Sequence, residues 1–189
     1  MVEQIKAVEQ LELLKKELAE LAALIKTLNI EIDEKEKQQH ENHRIATRKI
    51  KEYTLNILRA DLDRQGEFKT GKIVDVNFQK DTYALDGKNN FSASSKIYFK
   101  NAVLFSIFFA AVELDFFRYP RFILCDNMED KGMEKERTQN FQRVITSLSE
   151  KIKKEHQIIF TTSMIADELN NTRYCVGDEY GETNKTLKL

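Results

Sequence analysis

Apolar residues recur in steps of three and four from Leu11 to Ile32, through Leu14, Leu18, Leu21, Ile25 and Leu28. This spacing keeps one stripe of a helix apolar among Lys, Glu and Asn, and it predicts a coiled coil of about three heptads. A helix of about 30 residues reaches roughly 45 Å. Such a seam requires a second helix, from another chain or from an N-terminal half. Gln38 to Arg48 is polar and basic, and either carries the helix onward or breaks it. Ile50 to Leu62 returns to helical spacing through Tyr53, Leu55, Ile57 and Leu58, and predicts the helix that docks the coil on a globular part. The division expected is a stem over 1–48 and a lobe over 49–189.

Within the lobe the period changes. Ile73 to Phe78 and Thr82 to Leu85 alternate as two strands around a turn at Gln79-Lys80-Asp81. From Ser95 or Lys96 to about Leu114 the chain is apolar nearly all round, which predicts a buried helix. Pro120 punctuates the approach to an apolar strand, Phe122 to Asp126. Phe141, Val144, Ile145, Leu148 and Ile152 mark one face of an amphipathic helix, and Gln157 to Ser163 reads as another strand. A short strand near Tyr174 to Val176 is expected to close the sheet, with a loose tail from Gly181 to Leu189.

Composition changes this picture little. The 189 residues suit one core plus an extension. With 30 basic against 31 acidic residues, the chain is no general polyanion binder, although a local basic face is compatible with that balance. Arg44, Arg48, Lys49 and Lys51 have the chemistry to touch nucleic acid, but a solvated helical face accounts for them. Lys151, Lys153 and Lys154 suit the end of a helix dipole. Cys125 and Cys175 form no disulfide framework, and Cys125 reads as a core residue in an apolar strand. His40, His43 and His156 lack metal-ligand spacing. The charged start predicts no signal peptide, and the apolar run from Ala102 to Val112 is shorter than the roughly 20 residues that span a bilayer. A cytoplasmic location is the simplest expectation.

Three stretches carry candidate chemistry. Gly66-Glu67-Phe68-Lys69-Thr70-Gly71-Lys72 has the spacing of a phosphate loop, but Ile73 replaces the Ser/Thr that would hold Mg2+. The expected strand before it and helix after it are also absent from the pattern. Phe91-Ser92-Ala93-Ser94-Ser95-Lys96 opens an apolar helix with small residues. Unpaired N–H groups at a helix start attract phosphate, and the Ser92 hydroxyl adds a donor. Asp126, ending a buried strand, suits Mg2+ beside a nucleotide's phosphates.

In this order the pieces resemble the C-terminal half of a coiled-coil ABC-type ATPase, of the superfamily of P-loop NTPases that holds the SMC proteins and break-repair ATPases. The resemblance covers nearly the whole chain. It implies an α/β C-terminal lobe of an ATPase head (β-hairpin, signature helix, Walker B strand and switch strand) on a coiled-coil helix. It further implies ATP and Mg2+ held between two heads. Ser92, Ala93, Ser94, Ser95 and Lys96 would serve the partner's nucleotide, and Asp126 would hold metal at the chain's own. Ala93 and Ser94 stand where the family usually has two glycines. Asn127 stands at the usual catalytic glutamate and Ser163 at the usual histidine. Glu129 or Asp130 could replace that glutamate, although solvated loop charges are the simpler account of them.

The partners implied are an N-terminal ATPase half carrying Walker A, a second copy joined through heads or coiled coil, and DNA. No membrane partner is expected. Two other classes stay open. One is a coiled-coil interaction protein that retains an inactive ATPase-like lobe. The other is a nucleic-acid-binding module whose affinity would fall steeply with salt.

Overall fold

Helix α1, Val2–Arg59, runs without a break through the heptad stretch and the polar stretch after it. The computed structural model of this chain describes residues 2–77, 79, 80, 82–129 and 132–177. Phe78, Asp81, Asp130 and the 181–189 tail, on which expectations above rested, lie outside the described residues. Side chains three and four apart support the polar part of α1: Gln38 Nε2 donates to Asn42 Oδ1 at 2.9 Å, and Arg44 forks onto Glu41 at 2.8 and 2.7 Å.

The chain divides into two compact units, Met1–Ile45 and Ala46–Leu189. In the first, every residue of the heptad seam from Leu11 to Ile32 is exposed. In the second, the final turns of α1 bury Ile50, Thr54, Ile57 and Leu58.

Helix α2, Gly66–Thr70, buries Phe68. It leads to a hairpin of β1, Val74–Asn77, and β2, Thr82–Leu85, paired antiparallel with Val74 opposite Leu85. Gly71 packs so closely on this hairpin that a Cβ there would lie 2.6 Å from Leu85 Cδ1. The turn after β2 uses two left-handed residues, Asp86 and Gly87, types that adopt positive φ at low cost.

Helix α3, Ala93–Glu113, starts two residues before the expected boundary because the Ser92 side chain caps it, accepting from the Ser95 N–H at 3.3 Å. It is apolar on most of its circumference and occupies the centre of the core, with Phe99, Phe105, Phe108 and Phe109 buried. Burying each such ring is worth about 1.5–3 kcal/mol. Edge-to-face contacts from Tyr98 and Phe105 to Phe141 tie it to the next helix. By length and composition its 21 residues could cross a membrane, yet 67% of the apolar window is buried inside the fold. That is the pattern of a core helix.

Strand β3, Phe122–Cys125, helix α4, Lys135–Lys151, and strand β4, Gln157–Phe160, form a β-α-β unit with β3 and β4 parallel. Ile123, Cys125, Ile158 and Phe160 face the core. Phe122, Leu124 and Ile159, on the alternate positions, are exposed. The expected closing strand at Tyr174 to Val176 does not form. Instead the Cys175 N–H closes a turn onto the Thr172 carbonyl at 3.0 Å, and Val176 is 98% exposed. Among the described residues the sheet therefore stays two-stranded, and the fold is a mixture of helices and two small sheets, with a long N-terminal helix first in the chain.

Candidate functional site

The carboxyl ends of β3 and β4 are joined by hydrogen bonds. The Thr161 N–H donates to the Cys125 carbonyl at 3.0 Å, and the Met128 N–H donates to the Thr161 carbonyl at 3.2 Å. Asp126, the first residue past β3, is exposed and accepts from the Thr161 hydroxyl at 2.6 Å. Asn127 follows with φ +52° and gives its N–H to Thr161 Oγ1 at 2.7 Å. Asparagine tolerates this left-handed turn where glutamate would be strained, so the backbone supplies a reason for Asn127 that is independent of catalysis.

Glu129 turns inward and is only 7% exposed. One oxygen accepts from the Ser163 N–H at 2.6 Å and the Ser163 hydroxyl at 2.7 Å, while the other accepts from the Thr162 hydroxyl at 2.8 Å. Burial opposes the charge, but these donors outweigh it and hold the carboxyl below the usual glutamate range. Glu129 is thus an ionised latch between the loops after β3 and β4, and Ser163 is its main partner.

Helix α4 supports the same loop from below. Gln142 donates to Thr162 Oγ1 at 3.2 Å and the Met164 carbonyl at 3.1 Å, and accepts from the Ala166 N–H at 2.8 Å. Gln139 donates to the Ile165 carbonyl at 2.8 Å. Cys125 lies just beneath. Burial, then the charges of Asp126 and Glu129, pushes its thiol up, so it is a packing residue and a poor nucleophile.

The serine stretch forms a second cluster. Ser92, Ala93 and Lys96 are exposed, whereas Ser95 is buried. Ser92 Oγ and Ser95 Oγ lie 3.0 Å apart. Behind them sits Arg137, a buried residue from the first turn of α4. Its Nε donates to Asp61 Oδ1 at 3.0 Å, and its Nη2 pairs with Asp61 Oδ2. Its Nη1 donates to Ser94 Oγ at 3.0 Å and Ser95 Oγ at 3.2 Å. The guanidinium lies 4.9 Å from the Tyr98 ring centroid. Among the described residues, no hydrogen bond joins Ser92–Lys96 to Asp126, Asn127, Glu129 or Ser163, so the candidate residues fall into two separate groups.

Neither Arg137 nor Asp61 stood out in the chain. A signal existed, because Arg137 lies four residues before Phe141 and so falls on the apolar stripe of α4, where a cation must find a buried partner. The glycine-and-lysine stretch at 66–72 takes another course. It forms α2, and the N–H groups of Lys72 and Ile73 are taken by the Asp86 carboxylate, with Ile73 N at 2.8 Å from Oδ1. These backbone donors are therefore committed to the hairpin.

Metal chemistry can be judged from the donors. Among the described residues no cluster of three His, Cys, Asp or Glu side chains exists. One exposed carboxylate with a hydroxyl beside it does suit Mg2+, which keeps several waters and is held by one or two carboxylates plus phosphate oxygens. Asp126 would hold it, and Mg2+ would there neutralise phosphate charge. No family model matches the chain, and no curated protein matches it.

Proposed function

We propose that the chain is the C-terminal lobe of an SMC-like, ABC-type ATPase. It binds ATP and Mg2+ between two heads and acts on DNA in repair, genome maintenance or phage defence. The observation that carries this reading is Asp126. It is an exposed carboxylate at the carboxyl end of a parallel strand, beside the hydroxyl of Thr161, the first residue past the neighbouring strand. Ligands of open α/β sheets bind at that edge. The separate cluster at the start of α3 suits a second, opposing contact: Ser92 is exposed at a helix start where phosphate is favoured.

The exposed surfaces support a partner. Among the described residues β3 and β4 form a two-stranded parallel sheet with Phe122, Leu124 and Ile159 exposed, whereas parallel sheets are normally covered on both faces. An N-terminal half carrying Walker A would complete the sheet and supply the phosphate cradle. The exposed heptad seam of α1 suits a partner helix, from that half or from a second copy. The cellular setting that fits is the cytoplasm.

A second reading has its own support. Both oxygens of Glu129 are engaged and Asn127 is an amide, so neither offers an obvious general base to an attacking water. A coiled-coil interaction protein with an inactive ATPase-like lobe accounts for that. The test is MgATP binding by the chain mixed with a candidate N-terminal half, comparing wild type with Asp126→Ala. The ATPase reading expects at least a ten-fold weaker affinity in the variant, and equal binding would remove it. Pairing with the other half that is indifferent to nucleotide would favour the interaction protein.

A further inference from the structure

Arg137 is placed where no stability argument asks for it. A guanidinium 1% exposed has lost its hydration, and a bidentate carboxylate seldom more than repays that loss. Two apolar residues of similar volume would fill the space between Tyr98, Phe68 and the end of α1 at no greater cost. What those residues could not do is donate a hydrogen bond to Ser94 and Ser95. The guanidinium does so through Nη1, the nitrogen left over after Nε and Nη2 engage Asp61.

The anchor is firm on the other side as well. The Asp61 carbonyl accepts from Lys69 Nζ, Asn140 Nδ2 donates to the neighbouring Ala60 carbonyl at 2.9 Å, and Arg64 pairs with Glu134 and Glu136 at 3.1 Å. The loop after α1 and the start of α4 are thus fixed to each other, and the guanidinium between them points at the helix start. Ser94, at one of the two positions where glycine would be usual in the resemblance above, provides a hydroxyl for it. The departure from glycine therefore has a physical use: the side chain is held, so the loop gains rigidity.

We propose that Arg137 is the positioning residue of the serine loop. Held by Asp61, it fixes Ser94 and Ser95. Through the Ser95–Ser92 contact it sets the direction in which Ser92 presents its hydroxyl to an incoming polyphosphate. This rests on the reading that the Ser92 loop meets nucleotide phosphates. When Ser92 turns its proton to a ligand, the Ser95 hydroxyl can donate to Ser92 in its place. Donation from Arg137 to the Ser95 oxygen strengthens that exchange.

The experiment is a titration of the isotope-labelled full chain with inorganic triphosphate, following the amide resonances of Ser92 to Lys96, with a urea midpoint for every variant. Wild type should show saturable shifts confined to this loop, and Ser92→Ala should weaken them. The double variant Asp61→Leu with Arg137→Met should keep a urea midpoint near wild type and bind triphosphate at least five-fold more weakly. Ser94→Ala with Ser95→Ala, which leaves the ion pair in place, should show the same loss and guards against a double variant that does not fold. Wild-type affinity in either well-folded variant overturns the positioning role while leaving the phosphate reading intact. A wild-type loop that does not respond removes the phosphate reading, and the positioning role with it.

Discussion

Asp61 and Glu129 are both carboxylates inside the second unit, 2% and 7% exposed, and the fold treats them in opposite ways. Asp61 has a full cation in bidentate contact, yet burial still pushes its carboxyl up, with Arg137 pulling against that. Among the described residues no cation pairs with Glu129. Burial opposes its charge too, but one backbone N–H and two hydroxyls from the loop after β4 overcome it and bring the carboxyl down. The difference lies in which side bears the cost of dehydration. An ion pair dehydrates two charges, whereas small dipoles already fixed by the loop lose little when they turn to a carboxylate. The ion pair is expected to about break even in stability, and the Glu129 latch to add to it.

Removing one partner of the buried ion pair should have the largest effect. Arg137→Met alone leaves a buried, unpaired carboxylate and should destabilise the chain by about 3–5 kcal/mol, read as a lower urea midpoint. Adding Asp61→Leu should recover most of that loss. If the single variant loses less than the double, the contrast with Glu129 collapses.

Glu129→Ala comes next, at about 1–3 kcal/mol, because the Ser163 N–H is left with no acceptor in a partly buried loop. The pH dependence sharpens the point. A depressed folded pKa means that the latch contributes stability above the ordinary glutamate range and loses it as pH falls through the folded value. Urea midpoints between pH 7 and pH 3 should therefore fall less steeply for Glu129→Gln than for wild type. Parallel curves would show that Glu129 is not held below its usual range. The smallest effect is expected at Asn127. Asn127→Glu forces a glutamate into the left-handed region at roughly 1 kcal/mol, while Asn127→Gly should cost nothing measurable in the same melt.

Much of the architecture was legible in the chain. The steps from Leu11 to Ile32, the all-round apolarity before Glu113 and the runs at Phe122 and Gln157 lead to α1, α3, β3 and β4, because local periodicity is what selects helix or strand. Boundaries were less legible. The polar stretch at Gln38 did not end α1, since pairs such as Gln38 with Asn42 continue it, and Ser92 drew the start of α3 forward by capping it. The strand expected near Tyr174 failed because β propensity alone does not supply a neighbour to pair with.

The candidate site divides along the same line. That Asp126 would end a strand and Ser92 would open a helix followed from their places in the pattern, since both properties depend on residues a few positions away. The fork of Arg137 on Asp61 spans 76 residues, and the grip of Ser163 on Glu129 spans 34. Contacts of that length leave no period in a sequence: an arginine on a helix and a glutamate in a loop look like solvated charges until packing removes the water around them. Periodicity settled the long helices and the paired strands, and only the tertiary structure decided which charges are inside and what each must bond in place of solvent.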